Sequence, residues 1–130
     1  MKKLLEEARK VLPNAYVEYS HFPVAAAIQM KDGSIVTGVN VENASYGLTN
    51  CAERSALFAA YSQGYKKDDI VEIVVTTAKD DIVSPCGACR QVLRELAPAE
   101  TPIHIVSNAD KVLTIKNIDL LPYGFTKDDL

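Results

Sequence analysis

The chain has 130 residues, 48% hydrophobic and 24% charged, with six glycines and six prolines, the profile of one globular domain over residues 1–130. Fourteen basic against 17 acidic residues leave a net charge of −3, which argues against a polynucleotide partner, because phosphate neutralisation dominates that kind of affinity. No apolar run nears the ~18 residues that cross a bilayer, so no membrane association is expected.

Leu4, Leu5, Ala8, Val11 and Leu12 recur at helical spacing, which predicts an amphipathic helix over 2–12 that stops near Pro13. Two apolar runs follow, Val24–Met30 and Ile35–Val41, and the Asp32-Gly33 pair between them is a hairpin turn signal. Residues 42–50 are rich in turn formers and read as a loop. From Cys51 to Gln63 the alanines at 52, 56, 59 and 60 with Leu57 give a small-residue helical face, with Thr49 or Asn50 as the expected N-cap and Gly64 closing the helix. Ile70–Thr77 is a β-branched strand, Pro85 to Leu96 a loop running into a helix, Ile103–Ser107 a strand, and Val112–Ile115 a further short strand. A last helical turn is expected near Leu120-Leu121. Strands alternate with helices through the middle of the chain, so the expected fold is α/β: a three-layer α/β/α sandwich around a mixed sheet of about five strands.

All three cysteines fall in two short stretches, T-N-C-A-E-R-S-A-L-F at 49–58 and S-P-C-G-A-C-R-Q at 84–91. An odd thiol count fits a reducing compartment, and Glu6 and Glu7 interrupt the apolar run a signal peptide needs, so a cytoplasmic location is expected. Taken alone, Cys86-Gly87-Ala88-Cys89 serves a redox pair as well as a metal site. Cys51 at the start of the other central helix favours a metal, with zinc the natural ion for three thiolates. A closed structural zinc needs four protein ligands. The only histidines are His21, in a polar-aromatic loop, and His104, which alternates with Ile103 and Ile105 in a strand, so an open, catalytic site is preferred. One Zn2+ per chain, held by Cys51, Cys86 and Cys89, is the expectation. Glu53, two residues after Cys51, can then reach a water activated by the metal; as an isolated residue it would merely favour the helix dipole. Arg54 and Arg90 each stand directly after a ligand motif and are candidates to bond the sulfurs and offset their negative charge.

C-x-E followed by P-C-x-x-C is the three-cysteine form of the zinc-deaminase signature. Together with Y-S-H-F-P-V at 19–24, G-V-N-V-E-N-A-S-Y at 38–46 and L-L-P-Y-G-F at 120–125, it resembles the small homotetrameric cytidine deaminases, in order, over nearly the whole chain. The resemblance implies hydrolytic deamination of cytidine and 2′-deoxycytidine, with Glu53 as the proton shuttle. It implies that Asn40 and Glu42 hydrogen-bond the ribose, that Phe22 packs against the pyrimidine, and that main-chain groups near Ala52 and Ser84 read the base. Tyr46 and Phe125 take intersubunit roles in a homotetramer whose pocket neighbouring subunits complete. Two departures stand out: Ala25 where V-G-A-A is usual, which adds a methyl beside Val24, and Val17-Glu18 where a proline is common. Blasticidin-type deaminases resemble the chain at both zinc motifs as well, and Asn40-Val41-Glu42 favours a ribose substrate over that alternative.

Overall fold

In the computed structural model, which describes residues 1–130, the helices are α1 (Lys2–Val11), α2 (Ala52–Ser62) and α3 (Gly87–Leu96). The strands are β1 (Val24–Met30), β2 (Ile35–Val39), β3 (Ile70–Thr77), β4 (Pro102–Val106) and β5 (Val112–Lys116). They form one mixed sheet in the order β2-β1-β3-β4-β5. Only β3 and β4 run parallel, and the crossover that a parallel pair requires contains α3. The hairpin forms where Asp32-Gly33 signals it: Gly33 takes φ 91°, and the Asp32 carboxylate accepts the Ser34 N–H at 2.9 Å.

The pleat sends alternate residues to opposite faces, and each face buries its own helices. On one face Ala25, Ala27, Val74 and Val106 meet Leu4 and Ala8 of α1. On the other, Ala26, Ile28, Ile73, Val75, Ile103 and Ile105 join the buried faces of α2 and α3. The result is the expected three-layer arrangement. In α2 the alanines at 52, 56 and 60 are wholly buried, and this narrow stripe lies against Gly38 of β2. A Cβ at position 38 would stand 2.4 Å from Ala56 N and 2.9 Å from Ala52 O, so only glycine allows this helix so close to the sheet.

Two local expectations are corrected. Strand β2 ends at Val39 rather than Val41, because Asn40 keeps only its N–H on Val24 O: its carbonyl accepts the Tyr16 N–H, and its side-chain oxygen takes the Val24 N–H in the carbonyl's place. The N-cap of α2 is Cys51, not Thr49 or Asn50: Asn50 is bridged through its backbone to Val41 and through its amide to Ser55 Oγ at 3.1 Å. No helix is long and apolar enough to cross a membrane.

Candidate active site

Helices α2 and α3 begin beside each other, and each takes a cysteine as its N-cap, Cys51 for α2 and Cys86 for α3. Cys89 lies in the first turn of α3 and is fully buried. The three sulfurs lie within 4.8 Å of one another, with Cys51 Sγ and Cys86 Sγ 3.7 Å apart. A tetrahedral ion with ~2.3 Å bonds to sulfur separates its ligands by ~3.8 Å, so the cluster has the dimensions zinc requires. Neither histidine approaches it: His104 is held between Glu72 Oε2 at 2.7 Å and Thr114 Oγ1 at 2.8 Å, as a strand histidine.

The electrostatics place a sulfur anion on Cys51. Cys51 is held down to about 5, first by a hydrogen bond from Cys89 and then by one from Arg54. That same bond, with burial, pushes Cys89 up. Arg54 Nη2 stands 3.2 Å from Cys51 Sγ, while its Nε is buried without a partner. Arg90 behaves otherwise, and the expectation that it bonds a sulfur is corrected. Its Nε donates to Pro85 O at 2.7 Å, Nη1 to Leu120 O at 2.8 Å and Nη2 to Ser84 Oγ at 2.8 Å.

A cavity of about 280 Å³ opens over the cluster, near the ~300 Å³ lower bound usual for small-molecule sites. Phe22, Asn40, Glu42, Ala52, Glu53 and Ser84 all line it, together with Cys51 and Cys86. Glu53 is only 5% exposed, and burial pushes its carboxyl up to about 6. Asn40 accepts the Val24 N–H and donates to Phe22 O, both at 2.9 Å, so one acceptor lone pair and one N–H of its amide remain for a ligand. Glu42 accepts the N–H groups of Tyr19 and Ser20, each at 3.0 Å, and the Ser20 hydroxyl. These bonds, led by those from Ser20, hold its carboxyl below the usual glutamate range.

Sequence reasoning passed over Ser20, Val75, Thr77 and Val83, which line the cavity as well. Thr77 ends β3 beside the parallel pair, a place where α/β sheets gather ligands, and that position was the available signal. Tyr46 and Phe125, 79% and 57% exposed, stay outside the cavity of their own chain. Ala25 faces the α1 layer, so its extra methyl fills the core beneath that helix and does not touch the pocket. Glu18 is exposed in a turn.

A buried carboxyl beside a three-cysteine cluster in a small-molecule cavity meets the needs of metal-assisted hydrolysis, and sets the chain among the zinc hydrolases. Residues 1–105 match the family described as the cytidine and deoxycytidylate deaminase zinc-binding region. A cytidine deaminase of Halalkalibacterium halodurans is 50% identical over 127 residues, covering 98% of this chain and 95% of that protein. The crystal structure of cytidine deaminase from Burkholderia pseudomallei superposes with a TM-score of 0.92 at 42% identity, over 95% of this chain and 98% of that one. A blasticidin-S deaminase of Bacillus cereus is similar at 32% identity, over 97% of this chain and 92% of that protein. The chain belongs to the cytidine deaminase family, and zinc is its cofactor.

Proposed function

We propose that the chain, acting as one unit over residues 1–130, hydrolyses free cytidine and 2′-deoxycytidine to uridine and 2′-deoxyuridine with release of ammonia. The observation that carries this reading is Glu53, buried in the cavity wall two residues from a sulfur of the three-cysteine cluster. Cys51, Cys86 and Cys89 would hold the zinc. When bound, zinc supplies a Lewis acid that makes a water acidic enough to attack near neutral pH.

The remaining work falls to the side chains. Glu53 takes a proton from the attacking water and gives it to N3 of the cytosine ring; it then takes the second proton from the new hydroxyl on C4 and gives it to the amine as the C4–N bond breaks. Water and cytidine go in; uridine and ammonia come out, with no electron transfer. Burial suits Glu53 to this part, because a carboxyl with a raised pKa both accepts and releases protons readily. Phe22 packs against the pyrimidine. Asn40 offers the free half of its amide and Glu42 its ionised oxygens to the ribose hydroxyls. Main-chain groups of Ala52 and Ser84 read the base, and Arg54 balances the Cys51 sulfur. Asn40 and Glu42 also favour a free pyrimidine nucleoside over a blasticidin-type substrate.

Tyr46, Leu48, Phe58 and Phe125 are each exposed large apolar side chains, in keeping with a homotetramer in which Tyr46 and Phe125 help complete neighbouring pockets. The setting is cytoplasmic. Conversion of cytidine followed by ultraviolet absorbance, with ammonia measured in parallel and cytidine, deoxycytidine and blasticidin S compared, tests the activity. One ammonia per uridine formed is expected, and deamination of blasticidin S alone would overturn the reading. Sedimentation equilibrium at four chains per particle is the expected assembly; a monomer would remove the intersubunit roles.

A further inference from the structure

Between β3 and α3 the chain runs through residues 78–86 without regular secondary structure, yet this segment supplies Val83, Ser84 and Cys86 to the cavity. Its side chains are anchored, Asp80 by Asn108 Nδ2 and Asp81 by Lys111 Nζ, each at 3.1 Å, with Ile82 against the core and Pro85 buried, but its backbone is not. From residue 80 to residue 85, hydrogen bonds within the protein reach the backbone at a single point, the carbonyl of Pro85, and the donor there is Arg90 Nε. Where a backbone makes so few bonds of its own, side-chain contacts decide where it lies. Arg90 adds two further bonds, from Nη2 to Ser84 Oγ and from Nη1 to Leu120 O, where the last 3-10 turn before the C-terminal stretch ends. Its neighbour Gln91 donates to Phe125 O at 2.8 Å, so two adjacent side chains at the start of α3 grip the C-terminal stretch.

We propose that Arg90 is a positioning residue that clamps the Ser84–Cys86 segment against the Leu120 carbonyl, setting both the place of the Cys86 sulfur and the face Ser84 presents to the base. The base-reading half rests on the function proposed above; the Cys86 half does not. A guanidinium is planar, and its donors diverge at fixed angles, so three oxygens bound at once fix one arrangement of the groups that carry them. The bond to Ser84 Oγ takes one lone pair of that hydroxyl and fixes the residue, while the Ser84 main-chain N–H and carbonyl make no bond within the protein and stay free for the base. The placement also runs against the helix dipole, since a cation in the first turn of α3 is unfavourable, so the side chain's value lies in its bonds. No sulfur is among its partners, so it acts on the metal site through the backbone that carries Cys86.

The test compares wild type, Arg90→Lys and Arg90→Gln as full-length, zinc-loaded protein. Zinc transfer to a chromogenic chelator reads the Cys86 half; KM and kcat for cytidine read the Ser84 half. Zinc affinity about tenfold weaker is expected in both variants, the usual effect of losing an outer partner of a ligand. KM is expected to rise by about tenfold, and lysine is expected to rescue neither property, because one ammonium cannot serve three diverging acceptors. An arginine that only stabilised the fold would lower the yield of active protein and leave KM unchanged. Folded variants with wild-type zinc transfer and KM would overturn the proposal. Should neither variant fold, nitrogen-15 relaxation of the wild-type guanidinium decides: hindered rotation of both Nη groups supports the clamp, and free rotation refutes it. Zinc transfer and relaxation involve no cytidine, so an inactive wild type would sink the proposed function and leave these two readouts to judge Arg90.

Discussion

Gly38 of β2 and Ala56 of α2 meet backbone against backbone, close enough that a methyl at position 38 would overlap the Ala56 nitrogen at 2.4 Å. Because α2 begins with Cys51 and Glu53, the depth at which it sits on the sheet sets the height of the sulfur and the carboxyl in the cavity. Gly38→Ala should therefore lower stability by about 3 kcal/mol, the upper range for overpacking, since the neighbour that must yield is main chain. It should weaken zinc retention at the same time. Urea denaturation with zinc analysis checks both, and a change below about 0.5 kcal/mol would show that the helix shifts freely.

Replacing Glu53 by glutamine keeps the volume of a buried side chain and removes its ability to carry protons. Turnover should fall by at least ~10²–10⁴-fold, the range attributed to general acid–base catalysis. Zinc content should stay at one ion per chain, because the sulfurs are untouched. Stopped or burst assays together with metal analysis check this, and activity near wild type would assign the proton transfers elsewhere.

The ionised state of Glu42 is predicted to persist in acid. Hydrogen bonds led by those from Ser20 depress its carboxyl in the folded protein, so the contribution of those bonds is complete above the ordinary glutamate pKa. As pH falls, that contribution declines and is lost through the lower, folded value. Ser20→Ala should move the midpoint of Glu42 upward, toward the ordinary range. A carbon-13 titration of the Glu42 carboxyl measures it, and an unchanged midpoint would mean that the hydroxyl does not hold the charge.

Removing zinc with a strong chelator should abolish deamination and lower the melting temperature by ~10 °C. The figure follows from about 2.7 kcal/mol of stabilisation at hundredfold saturation and ~4 °C per kcal/mol for a chain of this size. Restoring zinc should recover both. Differential scanning calorimetry before and after chelation makes the comparison, and a melting temperature indifferent to the metal would contradict a site built across two helix starts.

Much of this was legible because pattern and burial agree. Val24–Met30 and Ile70–Thr77 are bounded as their apolar, β-branched runs indicate, since both strands are interior to the sheet and buried on both faces over most of their length, Val71 excepted. The cysteine cluster was legible because helix starts and loop lengths constrain where its three members fall. What escaped was tertiary. Asn40 ends β2 early by bonding across to Val24 and Phe22, a partnership 16 and 18 residues away along the chain. Arg90 stands after a ligand motif as Arg54 does, yet oxygens of Ser84, Pro85 and Leu120 capture its donors. Nothing in the local sequence distinguishes the two arginines; the folding back of residues 117–121 beside α3 does.

Cysteine is a poor way to begin a helix. Cys51 and Cys86 make no side-chain bond to the orphan amides of α2 and α3, where serine, threonine, asparagine or aspartate would each contribute about 1 kcal/mol. Selection for heat resistance alone would press both positions toward hydroxyl or carboxyl residues, and selection for metal retention presses them back to sulfur. Two residues out of 130 thus hold thermal endurance and chemical competence in opposition, and stabilised descendants of this chain should gain their robustness anywhere but at these two helix starts.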